Sequence, residues 1–170
     1  EVGHTIGLRH NFRASTMNDL KKIHDAEFTK VNGMASSIMD YLPFNIAPKG
    51  EKQGEYVMST IGTYDYWAVE FGYKQFPPDQ EEIGLNQILA KSSQRELQFD
   101  TDEDAGYGSV IGIDPNVNRF DMGSDPLAYY KLRMKLSREL WDRLQNMNLA
   151  TGESYELLTR SFRSGFAQVA

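Results

Sequence analysis

Three side chains in the first ten residues could do chemistry together. They lie in Glu1-Val2-Gly3-His4-Thr5-Ile6-Gly7-Leu8-Arg9-His10, an E-x-x-H-x-x-G-x-x-H pattern. Neutral imidazoles are metal ligands, and a nearby carboxylate can serve as a general base. The run reads as the end of a helix. Gly7 can stop that helix in the left-handed conformation, turning the chain so that His10 comes back toward His4. The bland alternative is two helix-end histidines hydrogen-bonded to backbone, and the decapeptide alone leaves both readings open.

A second group is Ser37-Ile38-Met39-Asp40-Tyr41. Alone, Met39 reads as flexible core filler and Tyr41 as a half-buried loop aromatic. Asp40 is expected to anchor the turn through local hydrogen bonds. Arg9 and Arg13 flank His10 and are expected to pair with nearby acids rather than to hold a substrate carboxylate. His24, beside Lys21, Lys22 and Asp25, reads as a solvated surface histidine. The run Asp100-Thr101-Asp102-Glu103-Asp104-Ala105-Gly106 superficially resembles a Ca2+ loop. An EF-hand wants glycine sixth and glutamate twelfth, where this chain has Ala105 and Ile111. A capped turn or solvated acidic loop is the favoured reading over a Ca2+ site. Tyr64, Tyr66 and Trp67 read as core more readily than as a substrate cleft.

The elements that must position these groups are mostly helical. A short helix is expected within 18–28. Residues 36–58, with Pro43, Pro48, Gly50 and Gly54, read as loop with at most short extended pieces. Tyr64, Trp67, Ala68 and Phe71 predict a helix over 63–71, stopped by Gly72. Another is expected from beyond Pro77-Pro78 to about Leu97, with Ile83, Ile88 and Leu89 inward. The Asp- and Gly-rich stretch 100–125 reads as a long loop with a short strand at 109–113. Asp125-Pro126 is an N-cap followed by a first-turn proline. The helix it opens carries Leu132, Leu136, Leu140 and Leu144 as a stripe. The last helix, within 154–169, places Tyr155, Leu158, Phe162 and Phe166 on one face. The fold class expected is mainly α, with irregular loops and at most a short strand pair.

Composition sets bounds on the function. The chain has 170 residues, 40% hydrophobic and 25% charged, with 18 Lys+Arg against 24 Asp+Glu and no cysteine. That is enough for one hydrophobic core. Absent cysteine excludes disulfide frameworks, thiol catalysis and Cys-ligated zinc. Net charge −6 without a basic cluster argues against a nucleic-acid partner. No apolar run is long enough for a transmembrane helix. The chain opens on Glu1 rather than Met, which reads as a piece of something longer.

The decapeptide resembles the metzincin zinc-protease signature H-E-x-x-H-x-x-G-x-x-H, with the first histidine falling immediately before Glu1. Ser37 to Tyr41 resembles the Met-turn of that class, in the form found in astacin-like and serralysin-like enzymes. With His4 to Phe12, Ser37 to Pro48, Tyr64 to Ala68, Thr101 to Asp104 and Phe120 to Pro126, the chain is similar to the met-zincin domain of large bacterial secreted proteins. It also resembles the protease A subunit of an enterotoxin. The resemblance implies a zinc endopeptidase. His4 and His10 would be metal ligands and Glu1 the general base. Tyr41 would ligate at rest or support an oxyanion, Met39 would form an apolar floor, and Gly7 the helix-breaking turn. It implies one C-terminal subdomain over 1–170, comprising the end of the active-site helix (1–10), the Met-turn (36–42) and a helical extension (60–170). An upstream subdomain, a protein or peptide substrate and an extracytoplasmic location follow from the same resemblance. The fragment by itself is expected to be inactive and to bind zinc weakly. The competing expectation is a non-catalytic binding module on a zincin scaffold.

Overall fold

The computed structural model describes residues 1–105 and 114–168. Seven α-helices run through them: α1 Val2–Thr5, α2 Leu20–Ile23, α3 Ala26–Asn32, α4 Thr63–Tyr73, α5 Glu81–Leu89, α6 Pro126–Gln145 and α7 Glu156–Ala167. Tight 3-10 turns occupy Ala14–Met17 and Arg95–Leu97. The described residues contain no strand, so the protein is mainly α. The strand expected at 109–113 lies outside the described residues.

Two expected helices are each divided. The one expected within 18–28 breaks at His24, because Asp19 and Asp25 each start a helix. Their carboxylates accept from Lys22 N and Glu27 N respectively. The helix expected to reach Leu97 stops at Leu89. Lys91, Ser92 and Ser93 are exposed and offer no apolar residue to hold another turn. The 3-10 turn that follows buries Leu97 instead. Conversely, α4 passes through Gly72 and ends at Tyr73, ahead of Phe76-Pro77-Pro78.

Ile23, Met34, Met122 and Tyr129 form the buried core, with Leu20, Leu42, Met58 and Leu132 packed around it. Helix α6 thus joins the loop before it to α2 and to the segment after α3. Its expected leucine stripe is only half-buried, while Tyr129 and Ser137 are its buried residues. Helix α7 packs along α6. Ser137 Oγ donates to Gly165 O at 2.9 Å, and Trp141 Nε1 to Phe162 O at 3.2 Å. A side chain at Gly165 would collide with the Trp141 indole. Close approach at Gly165 leaves Phe162 and Phe166 flanking Trp141 and partly exposed.

The connection that matters for the site runs from α4 to Ser37–Tyr41. Asp65, buried on α4, is acceptor for three donors: Ser37 Oγ (2.6 Å), Ile38 N (2.9 Å) and Gly62 N (2.8 Å). Gly62 lies so close to the Ser36 carbonyl that no Cβ fits there. Tyr64 N donates to that same carbonyl at 2.8 Å. Three donors on one buried carboxylate are strong, charge-assisted bonds. Replacing Asp65 with Ala orphans all three. Chemical denaturation should show a loss of about 2 to 4 kcal/mol, whereas Tyr66→Ala on the exposed side of α4 should change little.

Candidate metal centre

Helix α1 ends in a Schellman motif. Gly7, at φ +86°, donates from its N–H to His4 O (3.0 Å), and Leu8 N donates to Gly3 O (2.9 Å). Tyr73 Oη, at the end of α4, donates to Ile6 O at 2.9 Å and satisfies another terminal carbonyl. The reversal returns the chain so that His10 faces His4. Their Nε2 atoms are 3.2 Å apart.

That separation fits a shared cation. Two imidazoles on one tetrahedral zinc, each about 2.0–2.1 Å from it, hold their nitrogens about 3.3 Å apart. The other ring nitrogens point to the same state. His4 Nδ1 donates to Leu8 O at 2.9 Å, an atom that can only accept. His10 Nδ1 donates to Asp102, 3.0 and 3.1 Å from its two carboxylate oxygens. With both protons on Nδ1, both Nε2 atoms present lone pairs to the same point. The donor set therefore fits zinc. Among the described residues no third His, Cys, Asp or Glu joins the pair.

Met39 forms the floor, 4% exposed. Its sulfur packs so closely on Gly3 that a Cβ there would overlap it. Ser37 Oγ accepts from Met39 N at 2.9 Å, and Met39 O accepts from Asn11 N at 3.1 Å. The residue after His10 is thus pinned to the floor. Tyr41 stands beside His10, its ring centroid 4.5 Å away and tilted by 62°. Phe12 packs on both rings. Glu1 is the N-cap of α1, exposed, with its carbonyl accepting from Thr5 N at 3.2 Å.

Sequence reasoning missed two contributors. Asn11, fully buried, ties the acidic loop down. Its Nδ2 donates to Gln98 O (3.0 Å) and its Oδ1 accepts from Asp100 N (3.3 Å). Phe12 N adds a bond to Asp100 O at 2.8 Å. Asp102, the second, orients His10. Against the upward push of burial, its bond with His10, helped by Thr101 and Arg9, holds its carboxyl below the ordinary value. The clue in sequence was an acidic run with no EF-hand spacing.

Among the described residues that run gathers no cluster of three or more carboxylates that could hold a Ca2+ ion. Its carboxylates diverge: Asp100 to Arg13 (2.8 Å), Glu103 to Arg9 (2.7 Å) and Asp104 to Thr101 N (2.9 Å) as a capped turn. Arg13 also reaches Asp114 at 2.7 Å. Both arginines pair with acids, as expected. His24 is corrected too: it is half-buried at the end of α2, its Nδ1 lacks a partner, and burial lowers its pKa. Tyr64 is core, stacked on Phe99, while Tyr66 is exposed.

Asp40 also ties its turn to a distant segment. Its Oδ2 accepts from Ser15 N at 2.8 Å, 25 residues away. Its Oδ1 and both oxygens of Asp121 are buried without a partner. Burial pushes Asp40 up to about 8, with Asp121 nearby adding to the rise. Burial likewise pushes Asp121 up to about 6. Next to Asp121, Phe120 has φ +63°, alone among the described non-glycine residues in being left-handed. That conformation costs about 1–2 kcal/mol for an L-residue with a Cβ. It is held by Phe120 N donating to Tyr41 O at 2.9 Å.

A helix-borne histidine, a glycine reversal and a returning histidine thus meet above a buried methionine. The Met-zincin family model matches residues 1–170, and the chain belongs to that family. The family is of metalloprotease type and uses zinc. No curated protein and no solved structure matches the chain.

Two measurements check this centre. Asp102→Ala should weaken zinc binding about 10- to 100-fold in a competition titration, with little change in melting temperature. The buried acids predict a pH dependence of stability. Folded pKa values above the unfolded value mean the native state binds more protons. Their contribution is full below about pH 4 and is lost as pH rises through about 6 and 8. Urea titrations of Asp121→Asn should show a flatter slope over that window and a gain relative to the unsubstituted protein at pH 8.

Proposed function

We propose that this domain supplies the C-terminal half of a zinc-dependent endopeptidase site. The observation that carries the reading is the 3.2 Å approach of two Nε2 atoms whose Nδ1 partners leave both free to ligate. His4 and His10 would hold the metal, with a third histidine one helical turn before His4, at the position preceding Glu1. When bound, zinc supplies a Lewis acid that polarises the scissile carbonyl and acidifies water.

The chain's own residues do the rest. Glu1 takes the proton of the attacking water on its carboxylate and passes it to the departing amine. Tyr41 donates from its phenol to the oxygen on which negative charge develops. Met39 keeps the underside of the histidines dry and their rings fixed. An upstream subdomain would complete the cleft and hold a protein or peptide substrate. An extracytoplasmic location, whether secreted, periplasmic or at the cell surface, belongs to the same proposal and rests on the resemblance. Among the described residues no helix is long and apolar enough to cross a membrane.

Glu1→Gln in the full-length protein tests the assignment. Bound zinc should persist in elemental analysis while peptide hydrolysis falls by at least about 100-fold. Hydrolysis at the original rate removes Glu1 as the base. Zinc binding without hydrolysis in the unsubstituted protein favours the non-catalytic module instead.

A further inference from the structure

Phe120 is expensive to keep where it is. Glycine takes its left-handed backbone without penalty, and the ring recovers little by burial, being 58% exposed. The geometry around it is nevertheless fixed from both sides. Phe120 N donates to Tyr41 O at 2.9 Å, and Gly123 N donates to Ser15 O at 3.0 Å. Between these ties Asp121 and Met122 turn inward and are buried, which sends the Phe120 ring outward. The ring lies nearly parallel to that of Tyr41, centroids 5.8 Å apart and planes within 23°. Tyr41 in turn packs against His10. A strained backbone thus displays an exposed aromatic face one ring away from the paired histidines, a placement that residues outside working sites rarely sustain.

We propose that Phe120 is a specificity-determining residue. Stacked on Tyr41, it forms an apolar wall that receives a large apolar side chain of the peptide next to the scissile bond. The inference rests on the peptidase reading. Tyr41 can donate to the scissile carbonyl only if that carbonyl sits at its hydroxyl, and a neighbouring peptide side chain then falls within reach of the ring stacked on Tyr41. An aromatic or long aliphatic side chain gains by covering the exposed face of Phe120, whereas a small or charged one gains nothing there.

The test uses the full-length protein and Phe120→Gly. Two matched peptides differ only beside the scissile bond, one carrying phenylalanine and the other serine. Binding is read by fluorescence anisotropy with the Glu1→Gln background to prevent turnover, and kcat/KM is read with Glu1 intact. Removing the ring should weaken binding and lower kcat/KM for the phenylalanine peptide about 10-fold or more, leaving the serine peptide within about two-fold. Melting temperature should rise by about 2–4 °C as the left-handed strain is relieved. Phe120→Leu, which keeps an apolar side chain at the same backbone, should retain part of the preference. A higher melting temperature with an unchanged phenylalanine-to-serine ratio would make Phe120 a structural residue and overturn the proposal, as would an equal loss for both peptides. Absence of hydrolysis with Glu1 intact defeats the peptidase reading instead. The anisotropy arm then still decides whether the Phe120 ring selects apolar peptide.

Discussion

The contact between the Met39 sulfur and the bare Cα of Gly3 sets the geometry on which everything else depends. It allows α1 to lie directly on the turn that follows Ser37, with no side chain between them. From that height His4 projects on one side, and the Gly7 reversal brings His10 down on the other. Met39 O then accepts from Asn11 N, so the floor itself fixes where the returning histidine stands. A bulkier third residue would lift the helix away from Met39 and separate two nitrogens whose value lies in meeting.

The floor is rigid because a distant helix holds it. Asp65 collects Ser37 Oγ, Ile38 N and Gly62 N, converting a loop of irregular backbone into one with its donors satisfied. Asn11 performs the matching task for the acidic loop, which carries Asp102 to the outer nitrogen of His10. Both devices place a carboxylate where it accepts from nitrogen. A histidine whose Nδ1 proton is engaged by a carboxylate has its ring orientation and tautomer decided before any metal arrives.

Beneath the same turn the chain carries an opposing cost. Asp40 and Asp121 are buried with unpartnered oxygens, and burial drives both toward the neutral form. Phe120 adds backbone strain immediately beside them. The unpartnered buried acids and the strained backbone thus lie together beside Tyr41. Helices α6 and α7, by contrast, close on each other through Ser137, Trp141 and Gly165 with ordinary packing.

Much of this was legible in the residues themselves. Helix starts at Asp125-Pro126 and at Thr63 and the reversal at Gly7 all follow from short-range rules: capping, 3.6-residue periodicity and the left-handed freedom of glycine. The short helices around His24 and the stop at Leu89 were not, because Asp25 as a cap and the exposed Lys91 to Ser93 act on boundaries too locally for periodicity to register. Asp65, Asn11 and Asp102 were hidden for the opposite reason. Their partners lie 27, 87 and 92 residues away along the chain. By itself the sequence determined a mainly helical fold and the reversal at Gly7, since helix geometry and the freedom of glycine are local. Only the tertiary structure decided which carboxylates hold the Met-turn and His10, and that Asp40 reaches Ser15. A buried carboxylate is committed by the donors that folding brings to it, and no spacing along the chain records them.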